Sequence, residues 1–136
     1  MLTPEIEQSI RARIHAIPIV GTLEFADVRF GDGTYELRLP RRKKYDGVFE
    51  SLHGGLLTTA ADSTACFAIL TRTGPRARLT TTDMHIRFLA PCLTDAVVKA
   101  RVIKFGRTLC PVAVDVFDTE RRHVALAQVT YMLLGE

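Results

Sequence analysis

An α+β domain, in which an antiparallel β-sheet curls around one long central helix and a shorter helix precedes it, is the fold this sequence predicts. Three observations predict it. Gly54–Thr71 is apolar on nearly all sides, and a helix of that kind has to be covered by other structure rather than lie on a surface. After it come four segments rich in β-branched residues with largely alternating polarity, Thr80–Ala90, Ala96–Phe105, Leu109–Phe117 and Val124–Leu133. The turns between them are short, which favours antiparallel neighbours, and a sheet curled around the helix buries it best.

The remaining elements follow in order. Thr3 is placed to cap a helix with Pro4 at its first position, Glu5 and Glu7 in its first turn, and Arg11, Arg13 and His15 toward its end. Ile6, Ile10, Ile14 and Ile17 form one apolar stripe along it, and Pro18 ends it. Leu23–Phe30 and Tyr35–Leu39 flank Gly31-Asp32-Gly33 and read as a strand, a turn and a strand. A polar loop from Pro40 to about Leu52 leads to the long helix, which Gly74-Pro75 closes. In the next strand Met84, Ile86, Phe88 and Ala90 alternate with Asp83, His85, Arg87 and Leu89, and Pro91 ends it. Gly106-Arg107 and the charged turn Asp118–Arg122 separate the last strands, giving the order α-β-β-α-β-β-β-β.

Composition bounds the function classes. The 136 residues fit one domain, residues 1–136, able to bury a core without metal or disulfide staples. A hydrophobic share of 47% and a charged share of 24% are those of a soluble globular protein and exclude a disordered or fibrous chain. The most apolar stretch contains Asp62 among several Thr and Ser, which makes it a core helix and not a bilayer span. Glu5 and Glu7 interrupt the N-terminus and no apolar run follows a basic one, so a cytoplasmic location is expected. Cys66, Cys92 and Cys110 are odd in number and lack CxxC spacing, so they read as reduced packing residues; no metal site is expected. The net charge of +3 invites a nucleic-acid reading, but the basic residues are mostly dispersed and no nucleic-acid partner is expected. The one dense run, Arg41-Arg42-Lys43-Lys44, is either a solvated loop or a grip on phosphates. His85 and His123 read as surface groups on strands or turns.

The chemistry concentrates in His53–Asp62. No Lys or Arg accompanies Asp62 between Leu56 and Leu70, and a carboxylate buried without a partner is costly. Gly54 and Gly55 lack Cβ, so the N–H groups at the helix start can approach a ligand oxygen closely. A base and oxyanion donors therefore share one segment. Seven residues return almost to the same helix face, which aligns Gly55 with Asp62 but leaves them about 10 Å apart along the axis. That gap exceeds hydrogen-bond reach and fits a site completed by a second subunit. The alternative is that the glycines allow tight packing and Asp62 satisfies a buried backbone or hydroxyl group.

Two motifs resemble those of a known family. His53-Gly54-Gly55 followed by Ala61-Asp62 is similar to the HGG…AD signature of the hotdog-fold acyl-CoA thioesterases of the phenylacetate-pathway, PaaI-like type. Thr82–Pro91, with Phe88-Leu89-Ala90-Pro91 at its end, looks like that family's strand ending in F-L-x-P. Gly106-Arg107 and the stretch from Ala125 to Tyr131 fit as well. The resemblance implies a hotdog fold and hydrolysis of an acyl-CoA to a carboxylic acid and free CoA. It implies no cofactor beyond the coenzyme A of the substrate, and a homodimer or a dimer-of-dimers homotetramer with no membrane partner. Carried over residue by residue, Asp62 is the general base or nucleophile and the Gly54 N–H polarises the carbonyl across the dimer interface. Gly55 follows it in the motif on the substrate side. His53 orients the loop or contacts the thioester, and Thr81 aligns with a hydroxyl residue that positions water or the attacking group.

One departure stands out. Many relatives carry Asn six residues before the motif His, where this chain has Gly47. The resemblance then implies that another residue holds the thioester or water there, or that activity is weak, altered in substrate or absent. Asp46 and Glu50 are the nearby acids, and Glu50 is a candidate second acid or an ordinary solvated loop carboxylate. Arg107 is a candidate contact to a phosphate or pantetheine segment, or a solvent-facing turn residue. Two readings compete with the thioesterase. A non-catalytic acyl-CoA-binding hotdog protein gains credit from Gly47, whereas a hotdog dehydratase or hydratase fits the HGG…D pattern less well.

Overall fold

Thr3 caps the first helix as its sequence requires, its hydroxyl accepting the Ile6 N–H at 3.2 Å. In the computed structural model, which describes residues 2–136, this helix, α1, spans Pro4–His15 and buries Ile10 and Ile14. The chain does not then pass directly to a strand at Leu23. Pro18 opens a second helix, α2, Pro18–Leu23, with Ile17 as its cap and Val20 and Leu23 buried three residues apart. Proline ends one helix and starts the next for the same reason, because its missing N–H is needed inside a helix and superfluous at the first position. Glu24, at φ 59°, turns the chain out of α2, and the first strand begins only at Ala26.

Six strands follow around one long helix. They are β1 (Ala26–Gly31), β2 (Thr34–Leu39), β3 (Arg78–Phe88), β4 (Ala96–Val102), β5 (Leu109–Asp118) and β6 (His123–Gly135). The helix α3, Gly54–Thr73, comes between β2 and β3. All neighbours in the sheet pair antiparallel, in the order β1-β2-β4-β5-β6-β3. Hence β3 is an edge strand, long and paired only through β6. Strand β4 stops at Val102 and not at Phe105: Ile103 still donates to Pro111 O in register, but Pro111 has no N–H to return the bond.

The sheet wraps α3 and the two share one core. Ala60, Ala61, Ala65 and Ala68 are fully buried, and small side chains there let the strands close on the helix. Ile69, Val98, Val112, Val114, Val116, Val124 and Val129 fill the space between. Among the described residues no helix is long and apolar enough to cross a membrane.

Strand β3 carries one irregularity that bears on the site. Its register against β6 slips between Thr81 and Asp83. Leu79 and Thr81 face inward before the slip, Met84 and Ile86 after it, while Thr82 and Asp83 are both exposed. A β-bulge of this kind re-aims side chains. It turns Thr81 toward α3, where unbroken alternation with Met84 and Ile86 would point it away.

Candidate active site

The helix start is built by His53. Its Nδ1 accepts the Gly55 N–H at 2.8 Å, capping α3 with a ring that folds back over the first turn. A Cβ on residue 55 would lie 2.9 Å from that ring, so only glycine admits this cap. The Gly55 N–H, expected to be open to a ligand, is therefore already engaged. Leu56 and Leu57 direct their N–H groups to His53 O. The Gly54 N–H alone in this first turn has no acceptor among the described residues. The Phe88 ring from β3 packs over Gly54, 3.2 Å from where a Cβ would stand. A cavity of about 380 Å³ walled by Leu52, Leu57, Phe88, Leu89 and Pro91 also borders Gly54.

Asp62 lies two turns further along α3. It is half-buried and not devoid of partners, which corrects the expectation of a lone buried charge. Two hydroxyls converge on its Oδ1, Thr81 Oγ1 at 2.7 Å and the Tyr131 phenol at 2.8 Å. The phenol oxygen also sits 2.9 Å from the Asp62 carbonyl. Oδ2 has no partner among the described residues. Thr81 and Tyr131 are direct cross-strand partners in the β3–β6 register, so one sheet position presents both hydroxyls to the helix.

The groups around Asp62 are neutral. Burial pushes the Tyr131 phenol far above its ordinary range, so it stays protonated and serves as a donor. Burial, reinforced by the Asp62 charge, pushes the Cys66 thiol up to about 12. Cys66 is thus a protonated thiol one turn from the carboxylate, and not a nucleophile. Burial raises Cys92 and Cys110 as well, and all three cysteines are free.

The loop before α3 is held by a residue that the sequence did not single out. Arg41 grips both oxygens of Asp46, at 3.1 and 2.6 Å, and donates to Leu93 O and Glu50 O at 2.7 and 2.9 Å. Its own N–H reaches Asp95 Oδ1 at 2.8 Å. Arg42 is engaged by Glu24. The basic run is therefore no free phosphate grip in its first half, since two of its four charges hold the chain together. Gly47 donates to Ser51 O at 2.8 Å, and a Cβ there would meet the His53 ring at an ordinary 3.8 Å. Glu50 is exposed, with a left-handed φ of 59°. Val48 and Phe49 project between them, each 89% exposed.

Of the expected site residues, Asp62 and Thr81 come into contact, and His53, Gly54, Gly55 and Gly47 gather at the other end of the segment. Eight residues of helix separate Gly54 from Asp62, about 12 Å at 1.5 Å per residue, so one chain does not join them. Arg107 is exposed in the loop after β4 and has no partner among the described residues. His85 is exposed as expected, whereas His123 is partly buried, with Nε2 2.9 Å from Asp115 Oδ1 and its ring stacked on Phe117. Among the described residues no cluster of His, Cys, Asp and Glu could hold a metal. Tyr131 is the residue beside Asp62 that sequence reasoning missed; its place in the last strand was visible, its aim at Asp62 was not.

Comparison with known proteins gives this arrangement a context. The sequence model of the thioesterase superfamily matches residues 49–125, more than half of the chain. The chain belongs to the thioesterase superfamily. The matched stretch includes His53, Gly54, Asp62 and Thr81 and stops short of Tyr131. No curated protein matches the sequence. Among solved structures, this superfamily member is similar to a thioesterase family protein from Silicibacter pomeroyi, at 24% identity over 96% of this chain and 99% of that one, TM-score 0.87. It is similar to the PaaI protein of the Escherichia coli phenylacetic acid degradation operon at 18% identity, over 99% and 97% of the two chains, TM-score 0.88. A Haemophilus influenzae thioesterase matches at 18% identity over 99% and 92%, TM-score 0.84. At these identities the likeness is one of fold. It is the hotdog fold of the PaaI-type thioesterases.

Proposed function

We propose that this protein is an acyl-CoA thioesterase, hydrolysing an acyl-CoA to a carboxylic acid and free CoA. The observation that carries the reading is the Asp62 carboxylate, anchored through Oδ1 and open at Oδ2, in a thioesterase-superfamily chain. Thioester hydrolysis needs an activated oxygen nucleophile and a donor for the carbonyl oxygen that becomes negative. In this reading Oδ2 removes a proton from a water that attacks the thioester carbon, or attacks that carbon itself. The Gly54 N–H of the neighbouring subunit in a homodimer supports the developing oxyanion. Collapse of the tetrahedral intermediate breaks the C–S bond, and the thiolate leaves as CoA. On the water route the proton held by Asp62 passes to the leaving thiolate or to solvent. On the direct route a water then hydrolyses the acyl–Asp62 anhydride, releasing the acid and restoring the carboxylate.

A panel of acyl-CoA substrates, followed by release of free thiol, tests this. Steady thiol release from the wild-type protein is expected, lost by about 10²-fold or more in Asp62→Asn. Enoyl-CoA conversion without thiol release would turn the assignment to a dehydratase. A non-catalytic acyl-CoA-binding role is the second reading, favoured by Gly47, which offers no side chain beside His53. Tight acyl-CoA binding with no thiol release would establish it.

A further inference from the structure

We infer that Tyr131 is a positioning residue for this reaction, which together with Thr81 fixes Asp62 through Oδ1 and so assigns the chemistry to Oδ2. The inference rests on the thioesterase reading of Asp62 and extends it to a residue that lies beyond the superfamily match.

Three independent features of the fold converge on that one oxygen. The phenol is 5% exposed at the inward face of β6 and stays protonated, so it can only donate to a carboxylate. Thr81 reaches the same oxygen because a β-bulge in β3 reverses the alternation of the strand just after it. The register then sets Thr81 opposite Tyr131, and two donors from neighbouring strands meet at Oδ1 within 2.8 Å. Hydrogen bonds to an ionised acceptor are the stronger kind, and two of them fix both the χ angles and the plane of the carboxylate. The phenol oxygen also lies 2.9 Å from the Asp62 carbonyl, so its one proton is shared between Oδ1 and the helix backbone of the same residue.

A carboxylate held in this way presents a single oxygen in a constant direction. Displacing a reacting group by about 1 Å can cost on the order of 100-fold in rate. Loss of one anchor therefore lowers turnover while leaving substrate binding in place.

Tyr131→Phe, Thr81→Val and their double variant, measured with the best substrate of the thiol-release panel, test this. Each single variant is expected to lose about tenfold in kcat, with KM within about twofold and a thermal midpoint lowered by only several degrees, so that the protein stays folded under assay. The double variant is expected to approach Asp62→Asn, and Thr81→Ser, which keeps the hydroxyl, to restore kcat. An unchanged kcat in Tyr131→Phe overturns the inference. So does a lowered thermal midpoint with full kcat per folded molecule, which marks a packing role, or a raised KM alone, which marks direct substrate contact. Activity abolished by Asp62→Asn but untouched in Tyr131→Phe refutes the positioning role only, whereas a wild-type protein without thiol release refutes the thioesterase reading and the role with it.

Discussion

At the scale of single residues the first turn of α3 leaves one donor free, and that donor can be removed almost alone. Residue 54 is at the first helical position, where proline is well tolerated because no intrahelical bond uses its N–H. His53 already has the extended conformation, φ −57° and ψ 129°, that a following proline demands. Gly54→Pro is expected to keep α3, with a small adjustment of Phe88, and to lower kcat by about 10²–10³-fold, the usual effect of losing an oxyanion donor. Circular dichroism with thiol-release kinetics checks both halves. Asp62 was legible in the sequence because a lone acid in an apolar helix is conspicuous, and Gly54 because a glycine pair opens that helix. Thr81 was legible only through resemblance, since Leu79-Thr80-Thr81-Thr82 is ordinary strand composition. Tyr131 was not legible as a partner of Asp62, because the contact spans 69 residues of sequence and depends on the register of two strands.

At the scale of elements, the loop between β2 and α3 is set by an ion pair between two of its own residues, Arg41 and Asp46. Hydrogen bonds from Arg41 hold the Asp46 carboxyl below the usual carboxylate range, against the opposing pull of burial. A depressed folded value means that the stabilisation is full above pH about 4 and is lost as pH falls through the lower folded value. Protection of the Gly47 amide, which donates to Ser51 O inside this loop, is therefore expected to persist from neutral pH down to about pH 4 and to fall below it. Arg41→Gln is expected to remove that protection at every pH, as hydrogen exchange corrected for intrinsic rates would show. The sequence offered Arg41-Arg42-Lys43-Lys44 as one basic run, and nothing in a run of like charges says which member turns inward. Helix α2 was missed for a related reason: Pro18 was read as a stop, and a six-residue helix has too short a period to show. The bulge in β3 was hidden because the run Thr80-Thr81-Thr82 suits either face of a strand and so does not show where the alternation slips.

At the scale of the molecule, Gly54 and Asp62 stand about 12 Å apart on one straight helix, so the proposed chemistry needs two copies. The edge strand β3 offers unpaired backbone groups along its outer side, Phe88 and Leu89 leave apolar surface beside Gly54, and Val48 and Phe49 stand exposed in the loop before α3. Subunit mixing tests the arrangement. In a dimer of an Asp62→Asn chain with a Gly54→Pro chain, one site combines the intact Asp62 with the intact Gly54 and the other holds both defects. Refolding the two inactive variants together in equal amounts is expected to restore about a quarter of wild-type activity, since half of the dimers are mixed and half of their sites are whole. No recovery would place the working pair within one chain. The sequence by itself determined the α+β class, the central helix and the place of its acid and glycines, because polarity period and glycine are local properties of the chain. Only the tertiary structure decided which groups meet that acid, which glycine N–H stays free and which arginine holds the loop. The first depends on strand register and on one bulge, fixed by packing between segments far apart in the chain; the second depends on which way the His53 ring folds, and the third on how the loop packs against Leu93 and Asp95.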